Sequence, residues 1–100
     1  MPNFGTPFSG MAKDQKLTHE ELVRSIRFLV AAEYEAVQMY IQLAESTDNK
    51  LAIAILKDIA DEELVHAGEF LRLLKELAPD EENFYKSGAA EVEELIGGLK

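Results

Sequence analysis

Between Leu22 and Ala44, apolar residues recur at Leu22, Ile26, Leu29, Val30, Val37, Tyr40 and Ala44, in the steps of three and four that mark one face of a helix. A second series, Ala52, Leu56, Ile59, Phe70, Leu74 and Leu77, repeats the pattern beyond a polar interruption. The first helix opens at Leu17-Thr-His-Glu-Glu-Leu22. There Thr18 as N-cap and Glu21 three residues on can satisfy each other's backbone amides, with Leu17 and Leu22 as the accompanying staple. His19, in that first turn, has no evident role. The helix is predicted to run to about Glu45. Ser46-Thr-Asp-Asn-Lys50 forms a short turn, Asp48 is predicted to cap the second helix, and that helix is expected to reach about Ala78. So short a loop makes the two helices antiparallel neighbours.

The ends of the chain read differently. Pro79-Asp80 stops the second helix, and Glu81 to Lys86 is predicted to begin a shorter third helix whose acidic first turn suits the helix dipole. Ser87-Gly88 is expected to kink or end it. Val92, Leu95, Ile96 and Leu99 keep helical spacing but are broken by Gly97-Gly98, so residues 87–100 read as a frayed tail or attachment segment. Residues 1–16 hold Pro2, Pro7, Gly5, Gly10 and the isolated Phe4 and Phe8, with no period, and read as a flexible arm. The organised domain is therefore expected over residues 17–86.

Three side chains contradict the apolar pattern. Glu63 and His66 fall on the stripe of the second helix and Glu33 on that of the first, at positions where leucine is expected. A carboxylate aimed into a core without a partner either takes up a proton or binds a cation. Residues three apart on a helix project from neighbouring turns, so Glu63 and His66 can reach one ion. Counted from Asp48, Glu33 and Glu63 lie equally far back and forward, which sets them at the same height in a hairpin. Tyr40, two turns beyond Glu33, is either a core ring or a hydrogen-bond partner for a metal-binding carboxylate.

A formal charge of −9 argues against nucleic acid as a partner and favours cations. The absence of cysteine removes disulfides, thiolate zinc sites and cysteine nucleophiles. No apolar run approaches a bilayer-spanning length and no signal-peptide pattern opens the sequence, so a cytoplasmic protein is expected.

Two helices with such broad stripes cannot bury them against each other alone, and a two-fold dimer of hairpins making an all-α four-helix bundle is the commonest closed solution. The donor count leads to the same place. Two chains bring four glutamates and two histidines: one Glu from each of two helices and a Glu-x-x-His from each of the others, the pattern of di-iron carboxylate bundles.

Glu33-Tyr-Glu-Ala-Val-Gln-Met-Tyr40, Ser46-Thr-Asp48 and Asp61-Glu-Glu-Leu-Val-His66 together resemble the encapsulated ferritins, whose chain is half of an ordinary ferritin bundle. The resemblance implies that Glu33, Glu63 and His66 are iron ligands of a ferroxidase centre shared between two subunits, with Tyr40 beside it. It implies that Glu35 belongs to an outer site admitting metal. Ala32 stands where that site usually has a second acid, and Met39 where a large aromatic is usual. It further implies an annular decamer built of dimers and housed inside an encapsulin shell. The tail Glu94-Leu-Ile-Gly-Gly-Leu-Lys100 loosely resembles the Leu-rich, Gly-containing peptides that dock cargo to such shells, and reads equally as a linker.

The mixed oxygen and imidazole set suits iron or manganese, and oxidation of Fe(II) for iron storage is the expected activity. A hairpin dimer encloses no space for a mineral, so a container partner makes physical sense. Glu35, Asp58, Asp61, Glu62 and Glu69 either concentrate cations near the site or form a solvated face. Two rivals stay open: another di-metal enzyme on the same bundle, peroxide-reducing or manganese-dependent, and a structural dimer in which Glu33, Glu63 and His66 pair with each other.

Overall fold

The capping signals at the start of the first helix and the polar turn after it set the frame of the molecule. The computed structural model describes residues 14–99, and the arm residues Phe4 and Phe8 lie outside them. Three helices follow in order: α1 (His19–Glu45), α2 (Lys50–Leu77) and α3 (Glu81–Leu99). Thr18 accepts from the Glu21 amide at 3.1 Å, and the Glu21 carboxylate accepts from the Thr18 amide at 2.8 Å, so the capping box forms as expected.

The cap of α2 is Asn49 rather than Asp48: its Oδ1 accepts from the Ala52 amide at 3.0 Å. Both residue types cap well. Thr47 Oγ1 decides between them by taking the Asn49 amide at 3.2 Å and holding that residue in the extended conformation a cap needs.

Along α1 the residues facing α2 follow Val23, Ile26, Val30, Glu33, Val37, Tyr40 and Ala44, and along α2 they follow Leu56, Ala60, Glu63, Ala67, Phe70, Leu74 and Leu77. Alternating steps of three and four keep one seam facing an antiparallel neighbour. This corrects the stripes inferred from sequence. Leu22 and Leu29 lie outside the seam and exposed, while Val23 is buried and Ala60 and Ala67 are the most enclosed residues, at 1% and 2% exposure. Small residues there let the two backbones approach. Val23, Ile26 and Leu74, with Phe70, Leu77 and Ala78 against them, form the core at the end remote from the loop.

α3 also departs from expectation, because it runs unbroken through Ser87-Gly88 and Gly97 to Leu99. An interior glycine costs only about 1 kcal/mol of helix propensity, and Ser87 returns its hydroxyl to the Asn83 carbonyl at 3.1 Å. Its first turn is tied down: Arg27 donates to Glu81, at 3.1 Å from Nε, and Tyr85 donates to the other Glu81 oxygen. Every residue from Asn83 to Leu99 is exposed. The radius of gyration is 18.0 Å, against about 13 Å for a compact chain of this size, because α3 projects from the hairpin. None of the helices is long and apolar enough to cross a membrane.

His19, given no role from sequence, bridges the far end of the hairpin. Its Nε2 lies 2.8 Å from the Leu77 carbonyl oxygen, one of the carbonyls that the end of α2 leaves without a helical partner.

Candidate metal centre

Glu33 sits in the α1 seam between Val30 and Val37, and Glu63 in the α2 seam between Ala60 and Ala67. The antiparallel register sets them side by side, and His66, one turn beyond Glu63, leans over both. One donor atom from each of Glu33, Glu63 and His66 lies within 4.8 Å of the others. His66 Nδ1 is 3.6 Å from Glu63 Oε2 and 3.8 Å from Glu33 Oε2. These separations are too long for hydrogen bonds. They suit atoms around one cation, since ligands each about 2 Å from an ion stand roughly 3 to 4 Å apart.

Burial is uneven in a way that carries information. The carboxylates are 18% and 19% exposed, whereas the His66 side chain is 48% exposed. Glu33 Oε2 is buried and has no hydrogen-bond partner. Such an oxygen, removed from water and left unpaired, costs several kcal/mol when charged. Its environment therefore calls for a cation, and the donor chemistry of the cluster, two carboxylates and an imidazole, fits a hard or borderline divalent ion.

The exposure of His66 modifies the expectation that all three residues share a dry face. His66 stands at the edge of the seam, on a neighbouring face with Ile55, Ile59, Phe70 and Leu73 of α2 and Leu22, Leu29 and Leu43 of α1. Several of these are large side chains left open in the single chain, including Leu43 at 52% and Ile55 at 49%. Exposed apolar patches of this extent are where protein surfaces meet partners or ligands, and this one surrounds the half-exposed His66.

Tyr40 is half-buried in the α1 seam, but no hydrogen bond joins it to Glu33, Glu63 or His66 among the described residues. Glu35 is exposed and is not in the cluster, because two residues along a helix turns it away from Glu33. Ala32 is half-buried and Met39 exposed at 43%.

Comparison with known proteins places these features among relatives. Residues 18–95 match the family model described as Rubrerythrin. A ferritin-like–encapsulin shell fusion protein of Pyrococcus furiosus is 39% identical over 85 residues, covering 85% of this chain and 25% of that protein. The encapsulin nanocompartment cargo protein EncC of Myxococcus xanthus is 40% identical over 75 residues, covering 75% of this chain and 57% of that protein. The chain thus spans a quarter and somewhat over half of the length of these two relatives. The crystal structure of an encapsulated ferritin domain from Pyrococcus furiosus superposes with a TM-score of 0.81 at 38% identity, covering 87% of this chain and 89% of that one.

Proposed function

Since the chain belongs to the encapsulated ferritins of the rubrerythrin family, we propose that it is a ferroxidase whose di-iron centre is completed by a second copy of itself. The observation that carries this reading is the buried, unpartnered Glu33 Oε2 beside Glu63 and His66. One chain supplies too few donors for a closed coordination sphere. Two chains joined through the face around His66 supply four carboxylates and two imidazoles, and the carboxylate charge then balances two divalent cations. The same contact covers Leu29, Leu43, Ile55 and Leu73, which a lone hairpin leaves wet.

Fe(II) is the substrate. Two ferrous ions held between the shared carboxylates each lose one electron, and the pair passes to dioxygen. The protein's part is electrostatic and positional: carboxylates favour the higher charge of Fe(III), while His66 fixes each ion as the carboxylates change their mode of binding. Tyr40 flanks the centre, and Glu35 with neighbouring acids draws cations toward it. The names of the relatives support an encapsulin shell as the container for the oxidised iron, with the protein inside a nanocompartment; within it the dimers assemble further, into an annular decamer. The test is anaerobic Fe(II) titration followed by air, recorded optically for the natural protein and for Glu63→Ala. Equal binding and oxidation by both would end the ferroxidase reading, and peroxide consumption without ferric product would favour another di-metal enzyme.

A further inference from the structure

Ala60 and Ala67 stand one turn to either side of Glu63 on α2, and they are the most enclosed residues of the hairpin. The register that sets Glu33 level with Glu63 sets Val37 level with Ala60 and Val30 level with Ala67. Each layer beside the carboxylates therefore pairs a valine on α1 with an alanine on α2. The open end of the hairpin is filled differently, with Val23, Ile26 and Leu74 packed against Phe70 and Leu77. Helix axes stand roughly 8 to 10 Å apart according to the side chains between them, small ones giving the lower value. The two alanines thus favour close approach at the level of the metal cluster.

We propose that Ala60 and Ala67 are specificity-determining residues of the metal centre. By holding α1 and α2 close on both sides of Glu63, they set the gap between the Glu33 and Glu63 carboxylates to a width for small divalent ions and against larger ones such as Ca(II). The inference rests on the reading of this cluster as a cation site. Zn(II) takes carboxylate oxygen at about 2.0 to 2.2 Å, and Ca(II) at about 2.3 to 2.6 Å with more ligands. Discrimination by size requires a gap that does not adapt to the ion. Alanine supplies that stiffness, because it has no side-chain rotamer to change. Glu33 Oε2, buried and without a hydrogen bond, has no protein donor to hold it elsewhere.

Donor type acts separately. The His66 imidazole disfavours Ca(II) wherever the helices stand, so the part owed to the alanines is the part that changes when only their size changes. The spacing belongs to each hairpin and needs no second copy to set it.

Calorimetric titration of the full chain with Zn(II) alone and with Ca(II) alone gives the ratio of the two affinities. Ala60→Val should lower that ratio at least tenfold, chiefly by weakening Zn(II), and Ala67→Val should act likewise. Exchanging side chains across the seam, Ala60→Val with Val37→Ala, keeps the volume of the layer and should return the ratio to within threefold of the natural protein. Ala44→Val enlarges another buried alanine, about 16 Å along α1 from Glu33, and should leave the ratio within twofold. Thermal unfolding of each variant in chelator separates lost binding from lost folding, and the exchange decides the matter where Ala60→Val by itself unfolds. An unchanged ratio in folded Ala60→Val, an equal fall in Ala44→Val, or no recovery in the exchange would each overturn the proposal. Zn(II) binding by the natural protein that survives Glu63→Ala would instead overturn the metal-centre reading on which it rests.

Discussion

His66 Nδ1 stands 3.8 Å from Glu33 Oε2, a carboxylate oxygen that belongs to the other helix and has no hydrogen bond of its own. That relationship separates the needs of folding from those of chemistry. The hairpin would be more stable with an apolar residue at position 33, and the candidate metal cluster would not exist.

Glu33→Leu should therefore raise the stability of the metal-free protein by about 1 to 3 kcal/mol, the desolvation cost of an unpaired buried polar group. The same variant should lose Fe(II) binding. Urea unfolding in chelator, paired with an anaerobic binding titration, checks both. A fall in metal-free stability would mean that Glu33 is satisfied by protein groups.

Metal should stabilise the natural protein by mass action, by about 2.7 kcal/mol at free metal one hundred times its dissociation constant. His66→Ala should abolish most of that gain while leaving the chelator-treated baseline within about 0.5 kcal/mol, because the ring is half-exposed. Thermal unfolding with and without Mn(II), which does not oxidise under these conditions, measures the difference.

His19→Ala should cost about 0.5 to 1.5 kcal/mol, the net worth of one hydrogen bond, by freeing the Leu77 carbonyl. Hydrogen exchange should show the loss concentrated in the last turn of α2. Uniform loss throughout the hairpin would assign His19 a different role.

Ala60→Leu should destabilise by about 1 to 3 kcal/mol through overpacking, since the native side chain is 1% exposed in the seam. By pushing the helices apart beside Glu63 it should also weaken metal binding, an effect readable in the same Fe(II) titration.

The attachment of α3 should depend on pH. Hydrogen bonds from Arg27 and then Tyr85 hold the Glu81 carboxyl below its ordinary value of 4.5. Its contribution is complete above that ordinary value and is lost as pH falls through the depressed one. The Tyr85 hydroxyl is pushed up, chiefly by its hydrogen bond to Glu81, so its contribution is lost only in strongly alkaline solution. The protection of α3 amides, taken relative to the intrinsic exchange rate at each pH, should fall as the solution is acidified below pH 4.5, and Glu81→Gln should show the lowered protection already at neutral pH.

How much of this was legible in the sequence can be followed residue by residue. Thr18 and Glu21 announced the start of α1 because a capping box is purely local, and the polar turn announced the hairpin for the same reason. Glu33, Glu63 and His66 were found because charged and titratable residues interrupt an apolar period, and equal distance from the loop placed the two carboxylates at one height. His19 was missed because its partner is a backbone carbonyl 58 positions away, and no side-chain pattern marks a carbonyl.

The sequence by itself determined the helices, their antiparallel pairing and which side chains could serve as donors, since each rests on spacing along one chain. Tertiary structure alone decided which of two adjacent apolar faces becomes the seam. It buried Ala60 and Ala67, which the stripe read from the sequence did not include, and left His66 half open. Those outcomes depend on how closely two helices approach and on what each leaves uncovered, quantities that no single helix contains.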